Sequence, residues 1–336
     1  MAVVAPTVAP AEARPQSRWI VSRAVDLWLI IGGAWAGYGY LLLYVVFHAP
    51  ISYLWWFWSV GLDGTHIFGT ASRTFFDAEA RARNRRLFYG SLAFFFLLGP
   101  AMVLAGGKGY LALLVGVWAY YHVVRQHYGF MVLYKVKSRD LAPSFDRVFL
   151  AVMLIAPPFH RFFLHHPEEL GLGFSLARYE PALWVIVAGT ALAWAARERW
   201  RLAHRNKYLL FAAVIPLHWL TFAYMSWQAA VPTVTIVHNL QYHAIVWLHN
   251  RNRYSGEDGA ARHGRIHAAV SRSLLVYGAI ALAFSALYRI PGSALGTASD
   301  LAFGFFCGFG LTHYFLDSRI WRVRHDPGLR AALGMG

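Results

Sequence analysis

Cysteine is nearly absent from this sequence of 336 residues, in which Cys307 stands alone. One cysteine cannot build an intrachain disulfide framework or a cysteine-based metal site. The chain also lacks a P-loop and a glycine-rich dinucleotide fingerprint, so nothing indicates a nucleotide-binding domain. These absences leave histidine and carboxylate side chains as the groups available for metal chemistry.

Charged residues are scarce, at 14% of the chain, and acidic residues are the rarer kind, with 16 Asp and Glu against 31 Lys and Arg. A net charge of +15 is typical of some nucleic-acid-binding proteins, but its distribution has another explanation. If the apolar runs described next cross a membrane, one side carries 26 Lys and Arg and the other carries four, with Arg125 inside a run. This positive-inside bias predicts cytoplasmic termini and contact with membrane lipid, with no nucleic-acid partner.

Hydrophobic residues make up 58% of the chain and fall into ten runs. A membrane-spanning helix needs roughly 20 apolar residues, and most of the runs are near that length. The sequence therefore predicts an all-α polytopic bundle of about ten transmembrane helices in a bacterial inner (cytoplasmic) membrane. The runs are residues 24–47, 51–70, 87–107, 109–134, 146–163, 181–196, 207–229, 231–249, 272–290 and 299–317.

The predicted domain organisation is simple. The first residues, "MAVVAPTVAPAEARP", are rich in Ala and Pro and have no charged region before an apolar core, so we expect a disordered tail over residues 1–20 and no cleavable signal. Residues 21–325 are predicted to form a single transmembrane domain, and residues 326–336 a cytoplasmic tail.

Sixteen histidines are unusual in so apolar a chain. Four runs (51–70, 109–134, 231–249 and 299–317) pass from outside to inside in the predicted topology, and each carries its histidines near its middle or in its later half. These imidazoles should therefore lie at one depth, in the cytoplasmic leaflet. Several ionisable groups at one level of a membrane usually mark a functional site. His218, in the outer half of its run, is interpreted as a packing residue.

The predicted site is a metal centre. Asp63 with His66, and His313 with Asp317, have spacings that share a helix face. Imidazole and carboxylate without thiolate suit iron, one or two ions, with zinc, copper and manganese as alternatives. Tyr242 and Arg125 are predicted to act in catalysis. The predicted metal ligands are His66, His122, His127, His238, His243, His313, Asp63 and Asp317.

Two short motifs occur twice. "THIFGTASR" (65–73) and "THYFLDSR" (312–319) share T-H-x-F, and "HVVRQH" (122–127) and "HNLQYH" (238–243) share H-x4-H. Residues five apart point about 140° apart on a regular helix. Both histidines of one box could thus serve a single ion only through a π-bulge, or could flank two ions.

The H-x4-H boxes resemble those of integral-membrane fatty-acid desaturases, hydroxylases and alkane monooxygenases, and "RQHYGF" (125–130) is similar to the E-H-Y-G box of the last group. That likeness implies that His127 is a ligand. The many-spanning organisation also resembles the bacterial Brp/Blh carotenoid-cleaving oxygenases. The chain has no H-x-x-H-H box. Both resemblances imply a non-haem iron oxygenase, hydroxylase or desaturase acting on a lipid-soluble substrate.

Three functions are compatible with these patterns. The first is the oxygenase, with electrons supplied by a cytoplasmic donor that docks on the basic face. The second is a haem-binding electron-transfer protein with two axial histidines. The third is a metal- or proton-coupled transporter, although a histidine cluster confined to one leaflet is unlike the midplane sites of transporters. The run "YLWWFWSV" (53–60) is expected to face lipid or neighbouring helices.

Overall fold

The computed structural model describes residues 18–140, 144–198, 204–254 and 263–335, and all regular secondary structure within these ranges is helical. Most of the N-terminal segment predicted as disordered lies outside them. The helices, numbered along the chain, are α1 (Arg23–Val45), α2 (51–76), α3 (Ala78–Arg83), α4 (Arg85–Leu104), α5 (Lys108–Lys137), α6 (Asp146–His165), α7 (Glu180–Arg197), α8 (Arg205–Tyr224), α9 (Trp227–Tyr254), α10 (Arg265–Arg272), α11 (Leu274–Ala298), α12 (Asp300–Ile320) and α13 (Pro327–Ala332).

Six of the described helices are long and apolar enough to cross a membrane: α1, α4, α6, α8 and α11, together with α7 and the 3-10 turn (Ala177–Tyr179) before it. The other long helices, α2, α5, α9 and α12, cover the four predicted runs that carry the histidines. Each of them carries at least one histidine together with a charged or amide side chain, which makes it more polar. The structure thus separates an apolar set of six helices from a polar set of four.

One of the polar helices, α9, lies inside the bundle. In α9, 18 of 28 residues are buried. By contrast, no residue of α7 is buried among those that the structure describes. A polar helix is stable in an apolar surrounding only if its polar groups meet other protein groups. The burial of α9 satisfies this requirement and brings its side chains to the centre of the molecule.

A close helix contact fixes α12. A Cβ atom added to Gly99 of α4 would lie 1.9 Å from the carbonyl oxygen of Gly304 in α12, so the two backbones touch. Only glycine allows so short an approach, a common way for helices to pack in membranes. The contact positions α12 two to three turns before its histidine.

The region predicted as a C-terminal tail contains α13. Its Leu329, and Leu333 just after it, are both 1% exposed and belong to the main hydrophobic core. The Asp326 side chain accepts the backbone N–H of Leu329 and caps this short helix. This end of the described chain is therefore packed against the bundle.

Candidate metal centre

Four histidines from four different helices meet in the interior. His66 lies on α2, His122 on α5, His238 on α9 and His313 on α12, and one ring nitrogen from each lies within 4.8 Å of the others. Three of the residues are at most 3% exposed, and the His122 side chain is 12% exposed. Burial of four imidazoles together is costly unless they share hydrogen bonds or a cation.

Two of these rings face each other directly. The Nε2 atoms of His66 and His313 are 2.8 Å apart. The outer nitrogen of each ring has its own partner: His66 Nδ1 lies 2.8 Å from Asn239 Oδ1, and His313 Nδ1 lies 2.7 Å from the Thr70 hydroxyl. Partners of this kind orient metal-binding histidines and fix which nitrogen carries the proton.

The hydrogen-bond directions leave two lone pairs face to face. An amide oxygen can only accept, so a neutral His66 is protonated at Nδ1 and presents a bare Nε2. Thr70 donates its hydroxyl hydrogen to Asp317, so it accepts from Nδ1 of His313, whose Nε2 is also bare. Two bare nitrogens 2.8 Å apart repel each other unless a proton or a cation lies between them. The arrangement is therefore compatible with a metal ion bound between the two nitrogens.

The other two rings carry buried nitrogens that lack partners. Within the described part of the chain, neither Nε2 of His122 nor Nδ1 of His238 has a hydrogen-bond partner. Leaving such a group unsatisfied costs about 1–3 kcal/mol. The carboxylate of Asp317 lies 3.7 Å from His122 Nε2, beyond hydrogen-bonding distance. A bound ion would remove the cost at these nitrogens.

The four histidines surround a cavity of about 20 Å³. A space of roughly 10–15 Å³ holds one water molecule, so the cavity has the size of a single ion with little room beside it. The remaining lining residues are Asp63, Ile67, Ala119, Val123, Thr235 and Tyr314.

A second layer of polar groups supports the histidines. The Tyr242 hydroxyl donates to Asp317 Oδ1 at 2.8 Å and lies 2.7 Å from the Thr70 hydroxyl. The Tyr242 ring stacks on His66, with ring centres 4.3 Å apart and planes at 16°. Gly69 permits this stacking, because a Cβ there would lie 2.5 Å from the Tyr242 ring. Tyr242 and Asp317, both predicted as site residues, thus lie beside the centre.

The structure brings four of the predicted histidine ligands together and places the other two, His127 and His243, elsewhere. His127 lies apart from the four, with its ring centre 5.7 Å from that of His218. His243 contacts Thr65 Oγ1 at 3.0 Å through Nε2 and the Tyr277 hydroxyl at 2.8 Å through Nδ1. On regular helices, five-residue spacing turns these side chains away from the first histidine of each box. Each H-x4-H box therefore contributes its first histidine to the centre.

Two other predicted residues have different surroundings. Asp63 lines the small cavity, but its carboxylate is paired with the guanidinium of Arg289. Arg125 is exposed, and its guanidinium lies 5.3 Å from the Tyr128 ring, outside the cavity lining. The sequence reasoning missed Thr70, although it lies one helical turn after His66 and so shares its face.

A larger cavity of about 390 Å³ adjoins the centre and shares five lining residues with the small one. The four polar helices line it with residues that precede their histidines, such as Trp58 before His66 and Phe306 before His313. The four helices therefore run in the same direction, and the cavity extends towards their N-terminal ends. The shared residues are Asp63, Ile67, Ala119, Thr235 and Tyr314.

Aromatic side chains form much of the wall of the larger cavity. Trp58 is buried, and its indole N–H donates to the Thr235 hydroxyl at 2.8 Å. The tryptophan-rich run 53–60 is split, since Trp55 and Trp58 line the cavity while Tyr53 and Phe57 are exposed. The expectation that this run faces lipid or other helices holds for only part of it. Apolar walls beside a polar centre are typical of a pocket for an organic ligand.

The chain matches no protein-family model, no curated protein and no solved structure. A proposal for its function therefore rests on the geometry of the histidine centre and of the adjoining cavity.

Proposed function

We propose that this protein is an integral-membrane, metal-dependent oxygenase, of the hydroxylase or desaturase type, with a non-haem iron centre and a lipid-soluble substrate. The observation that carries the proposal is the group of four buried histidines, whose ring nitrogens lie close enough together to bind one metal ion. A large aromatic cavity beside that group provides space for an apolar substrate. Iron bound by histidine with open positions supplies oxygen activation.

The protein's own residues would hold and orient the ion. His66, His122, His238 and His313 supply the nitrogen ligands. Asn239 and Thr70 keep the outer nitrogens of His66 and His313 protonated, so that the inner nitrogens remain free to bind. The hydrogen-bonded Tyr242 and Asp317 could hold a proton close to the centre. Asp63 retains its role as a candidate ligand only if it leaves Arg289.

A bare ion fits this geometry better than haem does. Axial histidines bind opposite faces of a macrocycle, which must pass between them. The 2.8 Å separation of the facing His66 and His313 nitrogens leaves no such gap, and the enclosed space is about 20 Å³. The same small space favours one ion over two.

The predicted topology supports a substrate that arrives from the bilayer. If the four polar helices also cross the membrane, the chain has ten spans, and the centre lies towards the cytoplasmic side. The cavity then extends from the centre towards the outer leaflet, because it lies on the N-terminal side of the histidines. A cytoplasmic electron donor would dock on the basic loops at the opposite end.

Metal analysis and an absorption spectrum of detergent-purified protein test the proposal. We expect one iron per chain and no Soret band in the wild type. His122→Ala and His313→Ala should lose the iron, because each removes a ligand. His127→Ala is the matched control and should keep it, since His127 lies outside the centre.

Three results would overturn the proposal. One is wild-type protein without metal after expression in iron-supplemented medium. Another is a Soret band, which would identify haem. The third is iron that survives in both ligand variants, which would place it elsewhere in the chain.

A further inference from the structure

A second group of metal-binding side chains lies at the junction of α6 and α7. His160 and His165 belong to the π-helical last turn of α6 (His160–His165), and Glu180 is the first residue of α7. On an α-helix, side chains five residues apart point in different directions, but a π-turn spans five residues and brings them to one face. Their ring centres are 4.4 Å apart.

Glu180 completes the group. Its Oε1 atom lies 3.0 Å from His160 Nε2, and its Oε2 atom lies 3.3 Å from His165 Nε2. A tetrahedral zinc ion with bonds of about 2.0–2.1 Å holds neighbouring ligand atoms about 3.3 Å apart. The two contacts use different carboxylate oxygens, and each distance is close to that between ligand atoms of one ion. One ligand atom from each of the three residues lies within 4.8 Å of the others.

The surroundings hold the carboxylate in place and leave it accessible. The Trp184 indole N–H donates to Glu180 Oε1 at 3.2 Å, a support often found behind metal-binding carboxylates. Arg161, a cation in the same turn, pairs instead with Glu169. The side chains of His160, His165 and Glu180 are 30%, 40% and 33% exposed, so the group is open at the protein surface and has room for a further ligand on the ion.

We propose that His160, His165 and Glu180 form a second metal site, separate from the four-histidine centre, which binds one divalent transition-metal ion such as Zn²⁺. Two histidines, one glutamate and an open position are a known zinc ligand set. The ion would link the end of α6 to the start of α7 and so hold the connection 166–179 in place. This inference does not depend on the proposed function.

The test is a Zn²⁺ titration of chelator-treated full-length protein in detergent, followed by calorimetry and by thermal unfolding. The His122→Ala/His313→Ala background disables the four-histidine centre, so that only the second site is observed. We expect one Zn²⁺ per chain and a higher unfolding temperature with zinc. Adding Trp184→Phe should weaken binding by ~10–100-fold, because it removes a hydrogen bond behind the carboxylate.

Further variants in this background decide the assignment. His165→Ala and Glu180→Gln should abolish both the binding and the thermal shift. His166→Ala should change neither; it is the matched control, a neighbouring exposed histidine that pairs with Glu168 instead. The proposal is overturned if the background binds no zinc, or if His165→Ala binds zinc as tightly as the background.

Discussion

Thr70 connects three groups around the centre through one hydroxyl. It lies 2.7 Å from His313 Nδ1 and from the Tyr242 hydroxyl, and it donates to Asp317. Thr70→Val keeps the shape of the side chain but removes the acceptor that fixes the protonation of His313. We expect iron affinity to fall by ~10–100-fold, the usual cost of losing such a partner. The measurement is iron retained against increasing chelator.

Thr70→Ser is the control for this prediction, because serine keeps the hydroxyl and should restore most of the affinity. If Thr70→Val retained iron as well as the wild type, the hydroxyl would not be orienting His313. Thermal unfolding of both variants shows whether the fold itself has changed.

The residue scale is also where sequence reasoning reached furthest. All four histidines that cluster in the structure were among the predicted ligands, and Asp317 and Tyr242, which lie beside them, were also predicted as site residues. Sequence reasoning could not choose between the two histidines of an H-x4-H box, because that choice depends on which helix face meets the neighbours. His127 and His243 are the same residue type as His122 and His238 and lie on the same helices, and only the packing separates them.

Among the helix contacts, the one between α4 and α12 should be especially sensitive to substitution. Gly99→Ala would place a Cβ atom against the Gly304 backbone, which cannot move aside as a side chain can. Overpacking of this kind costs about 1–3 kcal/mol. We expect a lower unfolding temperature and partial loss of iron, because α12 carries His313.

Gly90→Ala is the matched substitution on the same helix. A Cβ at Gly90 has nothing within 4 Å among the described residues, so this variant should unfold like the wild type or at a higher temperature. Equal unfolding temperatures for the two variants would mean that the helices can separate at no cost.

The elements themselves were largely predictable, since long helices cover all ten apolar runs. The boundaries of the helices and their π-helical turns were less predictable. The π-turn (Phe57–Asp63) that precedes His66, and the one that ends α6, leave no periodic signature in so apolar a sequence. The short helix α13 was missed because its few apolar residues gain stability only by packing on the bundle.

Across the whole molecule, the large cavity adjoins the centre at Ala119, which lines both. Ala119→Phe would fill this junction without removing a ligand. We expect iron content to stay at the wild-type level while oxygen consumption with a lipid extract and an added electron donor falls at least tenfold, a loss of about 1.4 kcal/mol or more in transition-state stabilisation.

Ala119→Ser should keep the wild-type iron content and the wild-type rate of oxygen consumption, because serine is nearly as small as alanine. If Ala119→Phe consumed oxygen at the wild-type rate, the substrate would not pass through this cavity. At this scale, the sequence predicts a common depth for the histidines but does not predict the cavity, since charge bias orders helices along the membrane normal and says nothing about their neighbours.

The order of the helices along the chain has a consequence for how the protein enters a membrane. Each polar helix directly follows an apolar one: α2 follows α1, α5 follows α4, α9 follows α8, and α12 follows α11. The connections are five residues or fewer. An apolar helix can insert on its own, whereas a helix rich in histidine and asparagine gains little from lipid. We therefore expect each pair to insert as a hairpin in which the apolar helix inserts first and brings the polar helix in with it. The four histidines can then meet only after the fourth hairpin, which contains α12, has been translated.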